Sequence, residues 1–264
     1  MAAGLAGAPA CAGDARDASE RRFETVRRYP AEEARQAVAV DALHFFAIDD
    51  RRIGKYAKRT GLRVAAWAER EGGPIVHLNS GVVQGGRLHC AHSNYPGVPM
   101  RSSIEVFDAE TLAHVASQAL PGLPGSATWI DRRDGLAFVG AANYAGRGGE
   151  PGRGPEHSAV VRFDAGWRLL ASHAFPHAVV ERFGTRSNSG GAFGPDGLLY
   201  ATGHDAAELY VLRVPAPGEA LELVEILPAP AEGQGIAWDP AEPGLLWTIR
   251  RGDREVVASR LRVR

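Results

Sequence analysis

The stretch NSGGAFGPDGLLYATGHDAAELYVLRVPAPGEALELVEIL, residues 188–227, decides the fold of this chain. It contains four apolar runs of strand length, each separated from the next by a short polar or Gly- and Pro-containing segment. The segment GPDG at 194–197 is an Asp-Gly turn between two of these runs, which is typical of a β-hairpin. The stretch therefore predicts four consecutive antiparallel strands.

The same pattern recurs along the chain, which makes it an internal repeat. Two more strand-like runs follow each of the first four strand pairs. Four antiparallel strands per repeat, at a period of about 45 to 50 residues, predict the blades of a β-propeller. The other strand pairs are RQAVAVDALHFFAIDD (35–50), LNSGVVQGGRLHCAHSNY (78–95), GSATWIDRRDGLAFVGAANY (125–144) and GQGIAWDPAEPGLLWTIRRGD (233–253).

The fifth repeat is incomplete, because a single further strand, EVVASRLRVR (255–264), follows its first pair. Near the start of the chain, RRFETVRRYP (21–30) forms a strand-like run without a partner of its own. Placing Phe23–Tyr29 as the outer strand of the last blade closes the ring and covers its open edge. We therefore predict an all-β propeller of five four-stranded blades closed by the N-terminal strand, with six blades as the alternative.

Residues 22–264 are predicted to form this single propeller domain. Residues 1–21 are small, polar and aperiodic, which fits either a disordered tail or the remnant of a secretion signal. The segment AGAPACAG at 6–13 has the small side chains of a signal-cleavage region. This favours a periplasmic or extracellular location over a cytoplasmic one. Because a propeller ring is already closed, a monomer is expected.

The charge balance argues against several classes of partner. The chain has 30 Lys and Arg residues and 31 Asp and Glu residues, which gives a formal net charge of −1 at pH 7. A nucleic-acid-binding protein would need a basic face, so no nucleic acid is expected. No apolar run is long enough for membrane insertion. A small-molecule ligand is therefore the expected partner.

Polar side chains are concentrated at one predicted end of the propeller channel. In a four-stranded blade, the start of the innermost strand and the loop between the second and third strands open onto the same face. A channel mouth with convergent polar groups is the default ligand site, although Asn, Asp and Ser in loops can also serve only to shape turns. The predicted substrate-binding residues are Asn94, Tyr95, Asn143, Asn188, Ser126, Gln234 and Arg251.

The segment NYAGRGGEPGRGPEHS, residues 143–158, is much longer than a usual hairpin connection. It is rich in Gly and Arg and emerges on the polar face. One interpretation is a lid over the mouth, with Arg147 or Arg153 contacting an anionic substrate. Plain surface disorder is the alternative.

The segment FGPDGLLYATGHDAAELYVLRV, residues 193–214, resembles the blade pattern of NHL-type and gluconolactonase (senescence-marker) propellers. The chain from 22 to 264 also resembles bacterial exported propeller proteins that carry the label "cycloisomerase". The resemblance implies a divalent cation, calcium or magnesium, at the channel mouth. The chain departs from the family pattern at Gln36, because those relatives place an acidic residue at this position. The ligands it implies are Glu232, Asn79, Asn143 and Asp205.

Two functions of different class follow. The first is a small-molecule enzyme that opens or forms a lactone, as a hydrolase or cycloisomerase would. A bound cation, or Arg250 together with Arg251, would polarise the carbonyl. The second is a non-catalytic propeller that binds a ligand or a protein at the same mouth, since a fold alone does not decide function.

In the enzymatic hypothesis, His204 or Asp205 is the general base that activates water or a ring-forming carboxylate. His92 or Tyr144 is the proton donor. The predicted catalytic residues are thus His204, Asp205, His92, Tyr144 and Arg250.

Overall fold

The structure is a computed structural model that describes residues 21–263. Within this range, twenty strands form five antiparallel sheets of four strands each. The innermost strands of the five sheets contact one another in a closed ring. The protein is therefore a five-bladed β-propeller, which confirms the prediction from the repeats. The predicted tail, 1–21, lies outside the described residues except for Arg21.

Strand β1 (Arg21–Pro30) belongs to the last blade, and the other four blades each take four consecutive strands. Blade one consists of β2 (Ala37–Val40), β3 (His44–Asp49), β4 (Arg52–Ala57) and β5 (Arg63–Ala68). Blade two consists of β6 (Leu78–Gln84), β7 (Arg87–Ser93), β8 (Ser102–Asp108) and β9 (His114–Ala119). Blade three consists of β10 (Ser126–Arg133), β11 (Leu136–Ala142), β12 (Ala159–Phe163) and β13 (Leu169–Ala174).

Blade four consists of β14 (Gly190–Phe193), β15 (Leu199–Thr202), β16 (Glu208–Arg213) and β17 (Glu222–Pro228). Blade five takes its inner strands from the C-terminal end of the chain, and these are β18 (Ala237–Trp238), β19 (Leu245–Arg250) and β20 (Glu255–Val263). Its outer strand is β1, which pairs with β20 from Arg21↔Val263 to Pro30↔Glu255. The N-terminal strand thus closes the last blade, as predicted.

The tight hairpin turns follow from their residues. Gly85 and Gly86, between β6 and β7, both have positive φ. Asp134 and Gly135, between β10 and β11, do the same. Positive φ at both central residues is the type I′ turn that matches the twist of paired strands, and Gly and Asp tolerate it best. These turns keep the connections short on the face of the propeller opposite the predicted channel mouth.

Apolar clusters between neighbouring blades hold the ring together. In one of them, Phe45 of blade one packs against Trp247 of blade five, with ring centroids 5.3 Å apart. The other clusters join the remaining neighbours in the same way. Burying a large apolar side chain stabilises the fold by about 1.5–3 kcal/mol, so the positions of the blades are set by these contacts.

Two short helical segments lie in the loops. A 3₁₀ turn covers Pro155–His157, and helix α1 covers His177–Phe183. Val179 and Phe183 of α1 are buried against blades three and four. Within residues 21–263, no helix is long and apolar enough to cross a membrane.

Candidate functional site

A cavity of about 360 Å³ lies at one end of the channel, and we call it the mouth cavity. Every blade contributes to its wall, through the start of its inner strand or the loop between its second and third strands. The volume is that of a small-molecule pocket. Its lining residues are Arg35, Gln36, Asp50, Val76, His77, Asn79, Tyr95, Pro96, Thr128, Tyr144, Arg147, Arg186, Ser189, His204, Gln234 and Arg251.

Seven of the residues predicted from the sequence line this cavity. They come from four different blades, so the ring does gather residues that are far apart in the chain. Asp205 is a neighbour of the cavity rather than part of its wall, because its carboxylate hydrogen-bonds Nδ1 of His204 and its side chain is exposed. The seven lining residues are Asn79, Tyr95, Tyr144, Arg147, His204, Gln234 and Arg251.

His92 does not line the mouth cavity, and both of its ring nitrogens are used. Nε2 accepts the backbone N–H of Val76 at 3.1 Å, and Nδ1 lies 2.9 Å from Oγ of Ser103. Burial lowers the pKa of His92, so the ring is neutral. His92 therefore holds the backbone next to His77 in place and has no nitrogen left for a ligand.

Several other predicted residues shape the loops around the cavity. Asn94 closes its own loop by accepting the N–H of Arg101 and donating to the carbonyl of Pro99. Arg250 pairs with Asp253 on the turn that follows β19. Neither residue lines the mouth cavity.

Three more predicted residues are buried in the channel wall. The Asn143 amide donates to the carbonyls of Pro124 and His157. Asn188 accepts hydrogen bonds from Thr128 and Trp129, and Ser126 donates to Ser93. Because buried polar groups need such partners, these side chains stabilise the wall rather than face a ligand.

The four side chains implied as cation ligands are not gathered around one point. Only Asn79 lines the mouth cavity, and its amide donates to the carbonyl of Ala127. The amide of Asn143 is taken up by carbonyls, Glu232 is exposed outside the cavity, and Asp205 bonds His204. Within residues 21–263, no cluster of three His, Cys, Asp or Glu side chains is placed to hold a metal. These four side chains do not fit a divalent cation as ligands, and the cation stays a prediction.

The structure shows a histidine–aspartate pair in which Asp50 belongs to a loop predicted to open onto the mouth and His77 was missed. Nδ1 of His77 lies 2.7 Å from Oδ1 of Asp50, and the same oxygen accepts from Nε2 of Gln36 at 2.6 Å. Burial alone would raise the pKa of the Asp50 carboxyl, but the bonds from His77 and Gln36 and the charge of Arg35 hold it below its usual value. Asp50 is therefore ionised at neutral pH.

The cavity is also strongly cationic. Its wall contains four arginines, Arg35, Arg147, Arg186 and Arg251, and one carboxylate, that of Asp50. In the described part of the chain, Arg147, Arg186 and Arg251 form no salt bridge, and Arg35 has only a 3.9 Å contact with Asp49.

The electrostatic surroundings of Arg251 show the effect of this crowding. Burial and the positive charge of Arg35 lower the pKa of the Arg251 guanidinium, and the nearby aspartates offset this only in part. An anion in the cavity would relieve the repulsion among the arginines. The excess positive charge of these arginines therefore suits an anionic ligand.

Aromatic rings form one side of the cavity. The Tyr95 ring lies between His77, 5.0 Å away, and Tyr144, 5.2 Å away. Burial raises the pKa of Tyr144 to about 12, so its phenol stays protonated at neutral pH. Tyr144 can donate a hydrogen bond but cannot act as a base.

The missed residues share a sequence position. Arg35, His77 and Arg186 each stand one to four residues before an inner strand begins. The polar residues that follow them, such as Gln36 and Asn79, were considered instead, because these were expected to start the inner strands. Counting a few positions further back from each inner strand would have found all three.

No protein-family model and no curated protein sequence matches this chain. Among solved structures, the PQQ-bound aldose sugar dehydrogenase from Streptomyces coelicolor is similar with a TM-score of 0.59 and 10% identity, over 92% of this chain and 99% of that one. At that identity the likeness shows the fold alone. A chain of the mitotic checkpoint complex has a TM-score of 0.47 and 10% identity, over 98% of both chains. A protein of unknown function from Bacteroides caccae has a TM-score of 0.42 and 14% identity, over 75% of this chain and 60% of that one.

The comparisons support a β-propeller and assign no family. The resemblance to gluconolactonase-like propellers stays a prediction.

Proposed function

We propose that this chain is a small-molecule enzyme that opens or forms a lactone bearing an acid group, at the mouth cavity. The observation that carries the proposal is the Asp50–His77 pair in a cavity wall where four arginines face a single carboxylate. A base held by an ionised carboxylate and an anion-binding wall are the two parts that such a reaction needs.

The tautomer of His77 follows from its partner. Since Asp50 is ionised, its oxygens can only accept hydrogen bonds, so the proton of a neutral His77 ring lies on Nδ1. Nε2 then carries the lone pair, and no hydrogen bond to it occurs within residues 21–263. A carboxylate in this position fixes the ring and stabilises the imidazolium that forms when Nε2 takes a proton.

The arginines supply the electrostatic part of the mechanism. Arg35 and Arg251 lie close enough to Asp50 for their charges to influence each other's ionisation. A guanidinium there can bind the acid group of the substrate and stabilise negative charge on the carbonyl oxygen. The role predicted for Arg250 together with Arg251 is thus proposed for Arg251 and Arg35.

The reaction can be written with these groups. Nε2 of His77 takes a proton from water as the water oxygen bonds to the lactone carbonyl carbon, and the carbonyl oxygen becomes an oxyanion. The ring C–O bond then breaks, the carbonyl re-forms, and a proton passes to the leaving oxygen to give the hydroxy acid. His204 lines the same cavity and is our candidate for a second proton carrier. Lactone formation is the reverse sequence.

The test is turnover of a panel of lactones that carry a carboxylate, by wild type, His77→Gln and Asp50→Asn. We expect kcat to fall by about 10²- to 10⁴-fold in His77→Gln, which is the usual contribution of a general base. The matched control is His177→Gln, because His177 is exposed on α1 and outside the cavity. It should turn over like wild type.

Two outcomes would contradict the proposal. Turnover in His77→Gln within about threefold of wild type would remove His77 as the base. Binding of the hydroxy acids to wild type with no turnover of any lactone would instead support the non-catalytic binding propeller.

A further inference from the structure

A second cavity of about 190 Å³ adjoins the mouth cavity, and we call it the side pocket. Four of its residues also belong to the wall of the mouth cavity, so a ligand in one cavity can extend into the other. The side pocket is lined by Tyr95, Tyr144, Ala145, Arg147, Thr185 and Arg186.

The side pocket combines positive charge with aromatic surface. Arg147 and Arg186 are its charged residues, and neither forms a salt bridge in the described part of the chain. No carboxylate is part of its wall. The Tyr95 and Tyr144 rings meet edge to face at 62°. Arginines without acidic partners next to aromatic rings suit an acid group attached to a carbon skeleton.

The loop 143–158 holds this arrangement in place. The N–H of Ala145 donates to the carbonyl of Thr185 at 3.0 Å, which ties the loop to the segment that carries Arg186. Further along, the Glu150 carboxylate accepts the N–H of Met100 at 2.7 Å. The loop therefore brings Arg147 to the pocket between two anchored points.

Four arginines lie along the two joined cavities. Arg35 and Arg251 lie by Asp50 and His77, where the proposed reaction takes place. Arg147 and Arg186 line both cavities, and the charge of Arg186 also contributes to the lowered pKa of the Arg251 guanidinium. Because Asp50 supplies the one carboxylate in the two walls, a ligand with a single acid group would leave an excess of positive charge.

We propose that the side pocket is a second anion subsite, and that the substrate is an elongated dianion. One acid group binds near Arg35 and Arg251, the far one binds Arg147 and Arg186, and the carbon skeleton lies against Tyr95. This inference rests on the proposed function, which it extends from an anionic substrate to one with two acid groups. A dicarboxylate and a phosphonocarboxylate share this chemistry.

The test is calorimetric titration of the full chain with linear α,ω-dicarboxylates of increasing length and with the monocarboxylates of equal length. At one preferred length, the dicarboxylate should bind wild type at least about tenfold more tightly than its monocarboxylate, because its second acid group gains charge-assisted hydrogen bonds from the arginines. Tenfold corresponds to about 1.4 kcal/mol. The readout is this affinity ratio. An ω-phosphonocarboxylate of the same length tells which far acid group binds more tightly, and a gain with either supports the subsite.

Arg147→Gln and Arg186→Gln should each bring the affinity ratio close to one. The matched control is Arg59→Gln, which removes the same charge from an exposed arginine outside both cavities. It should keep the wild-type ratio. Both pocket arginines are exposed, so the variants should fold, and thermal unfolding checks this.

A wild-type ratio of one, or a ratio that survives the double variant Arg147→Gln/Arg186→Gln, would overturn the second subsite while leaving the mouth cavity as an anion site. If neither acid series binds wild type at all, the anionic substrate of the proposed function fails together with this inference.

Discussion

His77 and His92 differ in what remains of their ring nitrogens once the chain is folded. His92 lies near the end of β7 and begins the run His-Ser-Asn-Tyr, so the sequence makes it the more conspicuous of the two. In the structure its two nitrogens are bonded to Val76 and Ser103. His77 has one nitrogen on Asp50 and the other without a partner among the described residues. His77 is thus the histidine of the two that keeps a ring nitrogen available for a ligand or a proton.

The same reason limits how much of the site could be predicted from the sequence. Tyr95, Tyr144 and His204 line the mouth cavity where the loops were expected to open. Asn143 and Asn188 occupy equally suitable positions in the sequence, but their amides satisfy buried carbonyls and side chains. Residue type indicates that a group is polar, whereas only the fold decides which partner uses up its lone pairs and protons.

His89 provides a test of stability against pH. It lies on β7, its Nδ1 is buried without a partner among the described residues, and burial and the charges of Arg132 and Arg87 lower its pKa to about 4. Between pH 4 and 6.5 the unfolded chain binds this proton more readily than the folded one, so the free energy of unfolding falls as pH falls through that window. We expect His89 to account for a loss of about 2 kcal/mol in the free energy of unfolding across this window, after allowing for its partial exposure.

The measurement is urea unfolding of wild type and His89→Gln at several pH values between 4.5 and 7.5. The variant should lose much less stability on acidification, and His177→Gln, an exposed histidine, should follow wild type. Parallel curves for wild type and His89→Gln would show that His89 is not the group responsible.

At the scale of the element, the loop 143–158 depends on a glycine packed against an aromatic ring. Gly148 has φ +78°, and a Cβ there would come within 2.3 Å of the Tyr95 ring. Gly148→Ala should therefore displace Tyr95 or the loop and weaken binding in the side pocket. We expect calorimetry to show at least about a tenfold loss of dicarboxylate affinity, which corresponds to about 1.4 kcal/mol of binding free energy.

Gly152→Ala is the matched control for this prediction. Gly152 belongs to the same loop and has φ +74°, but a Cβ there would meet nothing within 4 Å. Both variants should lose about 1–2 kcal/mol of stability from the left-handed backbone. Only Gly148→Ala should lose affinity, and equal affinities in the two variants would mean that the loop does not position Tyr95.

At the scale of the whole molecule, the fold could be predicted because each blade is a local unit. Its strands follow one another in the chain, so the period and the hairpin turns, such as Gly85–Gly86, are visible in the sequence. The closure could be predicted because the last repeat lacks a strand and the N-terminal segment lacks a partner. The side pocket could not be predicted in this way, since it depends on where a long loop folds between blades.

The closing strand β1 is the point where the ring depends on residues distant in sequence. Its pairing with β20 contains a bulge between Thr25 and Arg27. At one end of β1, Arg21 bonds Asp196 and Glu225 of blade four, and at the other, Tyr29 donates to the carbonyl of Lys58 in blade one. β1 therefore connects blade five to both of its neighbours.

Removal of β1 should expose β20, whose central residues Val256–Ala258 are buried, in place of an outer strand rich in arginine. An apolar open edge promotes association between chains. We expect deletion of residues 1–30 to lower the free energy of unfolding by at least about 3 kcal/mol, because several backbone hydrogen bonds are lost at about 1 kcal/mol each. The protein should also self-associate in light scattering.

The matched control is deletion of residues 1–20, which shortens the chain but keeps β1. A synthetic peptide of residues 21–30, added to the longer deletion, should restore both stability and the monodisperse state, because it can pair with β20 in the register that β1 uses. If the two deletions unfold at the same urea concentration, the ring is held by its apolar interblade clusters alone and the N-terminal strand is dispensable for closure.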